Sequence, residues 1–467
     1  MKKNSLLKAL LIVFGLYVIL TWIVPTGYYD NGEFIKQATS PVGIFDLIIY
    51  PFITLTSSVF ILTALVVLLI GGLYGVLNKT GAYGNLIDKT LKKFKGKEKR
   101  ILIITIVLFT ILSSLTGLTL PLVVLVPFFA TVLLLLGYNK FTAMLSTIGA
   151  ILVGNLASIY GFNVAGYISY LTNNVNDGIW IRLLGLILSL AVLIFITIKT
   201  AKLDKKKVNE EEITLYEKNI NKKAKMTPLY VTSIIGIIVL LVGMFNWNGV
   251  FGIELFNDIH EAVSSFKIGG YDLFGKLIGS VPALGSWTNY ELALIIVIAV
   301  LIIGKSYKMS FEEIGSAMIS GMKEMLPVAV WAIICNILFL LMNIDSNGYT
   351  IYNTISNAIL SLTKGFNIFT MSIATLIGGL FYNDFPYFLS SLYSPITSMS
   401  ENYVDIGIIT QLIHGLVQLI APTSVILVIG LTYFKLPYKD WLKNIWKLLI
   451  GILIVIVILL ILTAIFV

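Results

Sequence analysis

The sequence predicts an all-α polytopic membrane protein, with about nine transmembrane helices plus two re-entrant hairpins in an inverted-topology repeat. Three observations lead there. Of the 467 residues, 57% are hydrophobic and 12% are charged, about half the charged share of an ordinary soluble domain. The apolar residues fall in runs of about 17–25, the length that crosses a bilayer core as a helix. Two further apolar stretches are broken at their centres by small, polar or helix-breaking residues. Backbone groups in lipid must pair internally, so such runs become helices. They lack the strict alternation of a transmembrane barrel.

The charges sit where a membrane protein needs them. The net charge is +9, but Lys and Arg cluster at the chain start and in 79–100, 199–225 and 435–447, between apolar runs. The positive-inside rule accounts for this pattern, so nucleic acid is not an expected partner. The rule sets the chain in the cytoplasmic membrane, with those segments and the N-terminus inside and Val467 outside. Cys335, the one cysteine, lies within an apolar run, so no disulfide framework exists. Lys2 and Lys3 ahead of Leu6–Val24 mimic a signal peptide. The apolar stretch is too long and no small-residue cleavage site follows, so it reads as the first membrane helix.

The elements follow in order. The first helix covers 6–24. A polar loop and an amphipathic piece near Ile44–Phe52 precede the second helix, 57–77. Ile101–Leu136 as one helix would be about 54 Å long at 1.5 Å per residue, nearly twice the core thickness. It is interrupted by Ser113-Ser114-Leu115-Thr116-Gly117-Leu118-Thr119-Leu120-Pro121, and Arg100 and Lys140 flank it on one side of the membrane. Either two short helices cross fully or a hairpin dips in and returns, and we read it as the hairpin. Irregular backbone at its tip is tolerated only where it lines a cavity or is buried in protein. The third helix, 141–159, has an unwinding point at Gly154-Asn155. The fourth is 179–198, and a charged linker, 199–227, follows.

The fifth helix spans 228–245, and the external loop 246–287 holds interfacial helices. The sixth is 289–304. Residues 311–324 read as an amphipathic piece on the inner surface, ahead of the seventh helix, 325–342. Asn367–Ser400 forms the second hairpin, broken at Tyr382-Asn383-Asp384-Phe385-Pro386. The eighth helix, 404–434, is interrupted at Ala421-Pro422-Thr423-Ser424, and the ninth is 446–467. Residues 1–198 and 288–467 thus make two copies of one pattern, the second inverted by the crossing in 228–287. Matched broken segments in two such halves mark a binding site.

The breaks assemble two polar sets for a substrate. One is Ser113, Ser114, Thr116, Thr119 and Asn155. The other is Asn383, Asp384, Ser390, Ser391, Thr423 and Ser424. Helix N-termini at the breaks suit a carboxylate. Taken singly, a Ser or Thr in a membrane helix as often bonds its own backbone or simply packs. Asp384 differs, because a carboxylate at the helix centre costs roughly 2.5–3.5 kcal/mol on insertion scales and is functional by default. Its plainer reading is a shallow hairpin with Asp384 in outside water. His414 shares one helix face with Gln411 and Gln418. It either relays protons or sits neutral and hydrogen-bonded in the bundle. Asn336 and Cys335 read as packing.

No Walker A motif, Gly-x-Ser-x-Gly or metal-binding Cys/His spacing occurs, and His260 and His414 are the two histidines. Direct ATP drive and soluble-type catalysis are therefore not expected. The pattern points to a secondary active transporter, not an enzyme, needing no cofactor beyond Na+ or H+ as coupling ion. A channel and an intramembrane hydrolase are the readings of another class.

Five motifs carry a family resemblance over most of the chain. They are Gly71-Gly72-Leu73-Tyr74-Gly75-Val76-Leu77-Asn78-Lys79-Thr80-Gly81, Leu125-Val126-Pro127 through Gly137-Tyr138, Gly154-Asn155, Ala421-Pro422-Thr423-Ser424 and Pro437-Tyr438-Lys439-Asp440-Trp441. With them the chain resembles the C4-dicarboxylate carrier (DcuC) family, in its YfcC-like branch, and more distantly the AbgT-type aminobenzoyl-glutamate transporters. The resemblance implies a homodimer and elevator-like motion of a hairpin-bearing domain. It also implies cation sites where each hairpin tip faces its broken helix, which here means Gly154, Asn155, Asp384, Ala421 and His414. The first tip, Ser113-Ser114-Leu115-Thr116, departs from the acidic or Ser-Asn-Thr-like pattern. The expected substrate is a small organic carboxylate or an amino acid. A basic amino acid antiporter or exchanger is the alternative.

Overall fold

The structure, a computed structural model, describes residues 5–466 except 31–32, 57, 162–174, 204–209, 222, 344–349, 364–366, 390 and 393–402. The chain is helical almost throughout. Among the described residues, eight helices are long and apolar enough to cross a membrane.

The first half opens with α1 (Ser5–Ile23). A short hairpin of β1 (Gly27–Asp30) and β2 (Glu33–Lys36) stands where a polar loop was expected. It is held from the far half of the sequence. Asn353 Nδ2 donates to the Gly27 carbonyl (2.9 Å) and Thr354 Oγ1 to that of Pro25 (2.7 Å). Next come α2 (Asp46–Leu55) and α3 (Ser58–Thr80). The basic segment after α3 is itself a helix, α4 (Ala82–Phe94), with Tyr83 and Ile87 buried and its lysines exposed.

The first hairpin comprises α5 (Glu98–Thr116), α6 (Thr119–Val123) and α7 (Val126–Leu135). The chain reverses at Gly117, whose φ of 67° is the left-handed conformation that glycine adopts at least cost. On the return, the Phe129 ring meets that of Phe109 with centroids 5.4 Å apart. Then α8 (Lys140–Leu156) carries a π-helical turn at Leu145–Gly149, and α9 (Ile179–Thr200) follows.

The second half begins with α10 (Thr227–Met244) and the short helices α11 (Trp247–Phe251), α12 (Leu255–Ser265) and α13 (Leu273–Ile278). Then come α14 (Asn289–Ser306), α15 (Phe311–Asn343), α16 (Ile351–Leu360) and α17 (Ile368–Phe381). The chain is helical again at 385–389. Ser390 and 393–402, which contain the rest of the second hairpin's return arm, lie outside the described residues. The chain closes with α18 (Tyr403–Gln418), α19 (Val425–Tyr433) and α20 (Tyr438–Phe466). The expected interruption at 421–424 is the gap between α18 and α19.

One expectation needs correction. Residues 311–324 are not a separate surface piece; they are the first part of the 33-residue α15. The reason is a small-residue crossing with α3. A Cβ on Gly71 would lie 2.5 Å from the Gly321 carbonyl oxygen, and Gly75 would meet the carbonyl of Ala317. Such backbone approach is how helices associate in lipid, where no hydrophobic drive separates helix from solvent. The described part of the charged segment 199–227 is a strap docked on the bundle. Leu215 is 1% exposed. Its N–H donates to Glu324 of α15 (2.7 Å), and its carbonyl accepts from Asn78 of α3 (3.2 Å).

Candidate functional site

A cavity of about 480 Å³ opens where the broken elements converge. Its first wall comes from the two hairpins and their neighbours: Thr119 at the start of α6, Asn155 at the end of α8, and Asn383, Asp384 and Phe385 after α17. His414 and Gln418 of α18 and Ser424 at the head of α19 complete that wall. The facing wall is Leu62 and Thr63 of α3, Thr288–Tyr290 at the start of α14, and Asn336 and Phe339 of α15. Residues nearly 300 positions apart in sequence thus share one space.

Each break is built by local chemistry. Ser113 Oγ donates to the Ile151 carbonyl (2.8 Å) and Ser114 Oγ to that of Ala157 (2.6 Å). These bonds tie the end of α5 to α8 and satisfy carbonyls freed as α8 ends. Gly154 lets the two helices approach, since a Cβ there would lie 2.8 Å from the Ser113 Cβ. Thr116 bonds its own helix at Leu112. Ser113, Ser114 and Gly154 therefore face the interhelical seam and Thr116 bonds back to its own helix, while Thr119 and Asn155 line the cavity. The Asn155 Oδ1 is buried and has no hydrogen-bond partner among the described residues.

The polar face of α18 joins the two halves. Gln411 Nε2 donates to the carbonyls of Leu156 and Ser158 (3.0 and 2.9 Å), at the broken end of α8. Gln418 Nε2 donates to the Gly379 carbonyl (3.2 Å), at the broken end of α17. His414, 3% exposed, places Nε2 2.9 Å from the Tyr382 carbonyl. A carbonyl only accepts, so Nε2 carries the proton. The imidazole lies between the rings of Phe385 and Phe388, at 5.2 and 5.4 Å.

Asp384 is half-buried beside the cavity. One carboxylate oxygen accepts from the Tyr387 amide at 3.2 Å, capping the helical turn that restarts at 385. No cation lies within salt-bridge distance of it among the described residues. Asn383 Nδ2 donates to the Thr423 carbonyl (3.3 Å), and Thr423 Oγ1 to that of Leu380 (3.3 Å). The second hairpin is thereby tied to the α18–α19 break. Ser391 turns back to Phe388 (2.6 Å), and Ala421 is buried at the end of α18. On the same wall, α19 begins at Val425 with no side chain capping it. Its first N–H groups, with the positive end of the helix dipole, are free to meet an anion. The described lining thus offers one carboxylate, one anion-seeking helix N-terminus and several amides, and no Lys or Arg.

The model of the family described as "C4-dicarboxylate anaerobic carrier" (DcuC) matches residues 4–465. The chain belongs to the DcuC family. It is therefore a multi-pass membrane transporter and not an enzyme. Two solved structures are similar to this DcuC-family chain at low identity. The YdaH transporter of Alcanivorax borkumensis shares 15% identity, with a TM-score of 0.39, 98% of this chain covered and 97% of that one. MtrF of Neisseria gonorrhoeae, described among antimetabolite efflux pumps, shares 13%, with a TM-score of 0.42 and coverages of 98% and 95%. No curated protein matches the sequence.

Sequence reasoning missed the facing wall of the site. Asn336, taken as packing, is 5% exposed and lines the cavity. Phe339 was not singled out, and its ring reaches those of Tyr382 and Tyr387 at 6.2 and 5.8 Å. An amide inside the apolar run 325–342 was the one available signal.

Proposed function

We propose that this DcuC-family transporter is a cation-coupled secondary carrier whose substrate occupies the cavity between the hairpin wall and the α3–α14–α15 wall. The convergence of Thr119, Asn155, Asp384 and Ser424 on one 480 Å³ space carries this reading. It makes residues 1–198 and 288–467 inverted repeats, each giving one broken helix and one hairpin to the site. Ser113, Ser114, Thr116, Gly154, Thr423 and Ala421 then act by holding the breaks in place. An elevator motion would carry the hairpin wall, with α18 as its tie, along α3 and α15. The basic segments face the cytoplasm in this topology. A homodimer fits the family resemblance.

The charge of the lining bears on substrate. The family description names C4-dicarboxylates, which are dianions. With Asp384 present and no basic group in the described lining, a bare dianion would meet one negative charge and one helix N-terminus. It needs a companion cation, and Asp384 with the nearby amide oxygens supplies ligands for Na+ or a site for a proton. An amino acid needs no companion, because its ammonium group would face Asp384 and its carboxylate the head of α19. Both substrates use the same residues. Uptake into liposomes holding the purified protein, across dicarboxylates, monocarboxylates and amino acids with imposed Na+ or pH gradients, separates them. Dicarboxylate accumulation driven by either gradient supports the coupled dianion; gradient-independent exchange of amino acids supports the antiporter reading. Transport of none of them in any condition would refute the proposal.

A further inference from the structure

A second, smaller cavity of about 210 Å³ lies at the basic end of the bundle, away from the central site. It is bounded by Thr200 and Lys202 just past α9, by Asn139 at the head of α8, and by Lys443, Trp446 and Lys447 in the first turns of α20. None of the three lysines has a carboxylate partner among the described residues. Elsewhere on this end Lys92 pairs with Asp88 (2.6 Å), Lys140 with Glu212 (3.4 Å) and Lys218 with Glu210 (2.9 Å), while Lys93, Lys95 and Lys99 are exposed with no ion pair among the described residues. Three exposed ammonium groups, that of Lys447 over the Trp446 ring at 5.5 Å, border one concave space, and an anion there would meet all three charges.

The surroundings indicate which anion. Trp446 is 51% exposed, the position of an interfacial anchor. Toward the bundle centre the same wall continues through exposed Phe195 of α9 and exposed Ile450 and Leu453 of α20. A free anion would use the pocket and ignore that wall. A lipid would use both, with its phosphate among the lysines and its chains along the apolar side chains. Basic pockets between membrane helices are a recognised form of anionic headgroup site. Asn139 Oδ1 caps α8 by accepting from the Thr142 amide (2.8 Å), which leaves the lysines to supply the charge and the Asn139 NH2 group as a neutral donor.

We propose that this pocket binds the phosphate-bearing headgroup of an anionic phospholipid, seated between α9 and α20. The test uses the full-length protein, stripped of lipid in detergent and titrated with phosphatidylglycerol, phosphatidylcholine or inorganic phosphate while bound species are counted by native mass spectrometry. The triple variant K202Q/K443Q/K447Q is compared with K93Q/K95Q/K99Q, which removes equal charge from the exposed lysines of and just after α4. The expected result is retention of phosphatidylglycerol over phosphatidylcholine, reduced about tenfold or more in the pocket variant and unchanged in the control. The single variant K443Q, which leaves two lysines in place, should show a smaller loss and covers the case of a triple variant that does not fold. Equal loss in both triple variants would make the binding a general surface effect and overturn the site. Equal retention of phosphatidylcholine, or binding of inorganic phosphate as tight as that of the lipid, would overturn the lipid assignment.

Discussion

His414 Nε2 lies 2.9 Å from the Tyr382 carbonyl oxygen, which puts a donated hydrogen bond across the point where α17 stops. The bond runs from the helix that also caps the end of α8, so it fixes one break relative to the other. A neutral imidazole does this as well as a charged one. Gln418 Nε2 remains 3.4 Å from the same carbonyl, so the His414→Ala variant should unfold more easily by about 1–3 kcal/mol, for one lost hydrogen bond and the space left beside Phe385 and Phe388. Its transport should fall at every pH alike. Thermal unfolding in detergent and an uptake profile from pH 5 to 8 check this. A wild-type profile that turns on His414 protonation, and is flattened by the substitution, would make it a proton relay instead.

The α3–α15 crossing gives a stability prediction that does not depend on function. Gly75→Leu places a side chain where the Ala317 carbonyl already sits, and Gly321→Leu does the same against Gly71. Each should lose about 3 kcal/mol or more, or fail to yield folded protein, because backbone and not a flexible side chain must move. Gly236→Ala on α10, with nothing within 4 Å of the added Cβ, should be neutral. Thermal unfolding of the purified variants decides it.

The strap at 210–221 supplies a second structural test. Thr214 Oγ1 donates to the Tyr433 carbonyl (3.0 Å), and the Tyr433 hydroxyl donates back to the Thr214 carbonyl (3.1 Å). Thr214→Val and Tyr433→Phe each remove one of these bonds, at about 1 kcal/mol apiece. Limited proteolysis should cut within 199–227 faster in either variant and fastest in the double. Unchanged cutting would mean that the strap's other bonds, among them those to Glu324, Asn78 and Asn85, hold it without the Thr214–Tyr433 pair.

Much of this was legible in the chain, for physical reasons. A bilayer imposes length on helices, so the runs that became α1, α3, α9, α10 and α14 stand out. Gln411, His414 and Gln418 share a face at helical spacing, and Asp384 is conspicuous because a carboxylate is costly at that depth. What stayed hidden was contact between distant segments. Ile213 and Leu215 sit in a charged stretch, and the burial of Leu215 depends on Glu324 accepting from its amide. Gly321 looked like part of an amphipathic surface piece until Gly71 and Gly75 were found against it. Asn336 and Phe339 became wall residues only when α15 was placed opposite the breaks. The strands at Gly27–Asp30 and Glu33–Lys36 are too short to declare themselves by alternation.

The cavity's amides should also matter unequally. Asn155 has a buried Oδ1 with no hydrogen-bond partner among the described residues, and Asn336 has a buried side chain in the lining of the same cavity. Asn155→Leu and Asn336→Leu should both fold, since apolar replacement removes a desolvated polar group. Substrate affinity should fall about tenfold for a lost polar contact. Binding to the purified protein by calorimetry checks this. A Leu variant that binds as tightly as the wild type would remove that residue from the site.

Asp384 offers the most direct test of the central claim, that the cavity between the two breaks is the transport site. Asp384→Asn keeps the shape and the oxygen that caps Tyr387 while removing the charge. Purified wild-type and variant protein are placed in liposomes, and uptake of the substrate found for the wild type is measured with and without Na+ and pH gradients. The variant should remain folded and lose gradient-driven accumulation by about tenfold or more, or lose substrate affinity by a similar factor if Asp384 pairs with a cationic substrate group. Wild-type accumulation by Asp384→Asn under every gradient would contradict the account and leave Asp384 as a helix cap at the edge of a cavity that transport does not use.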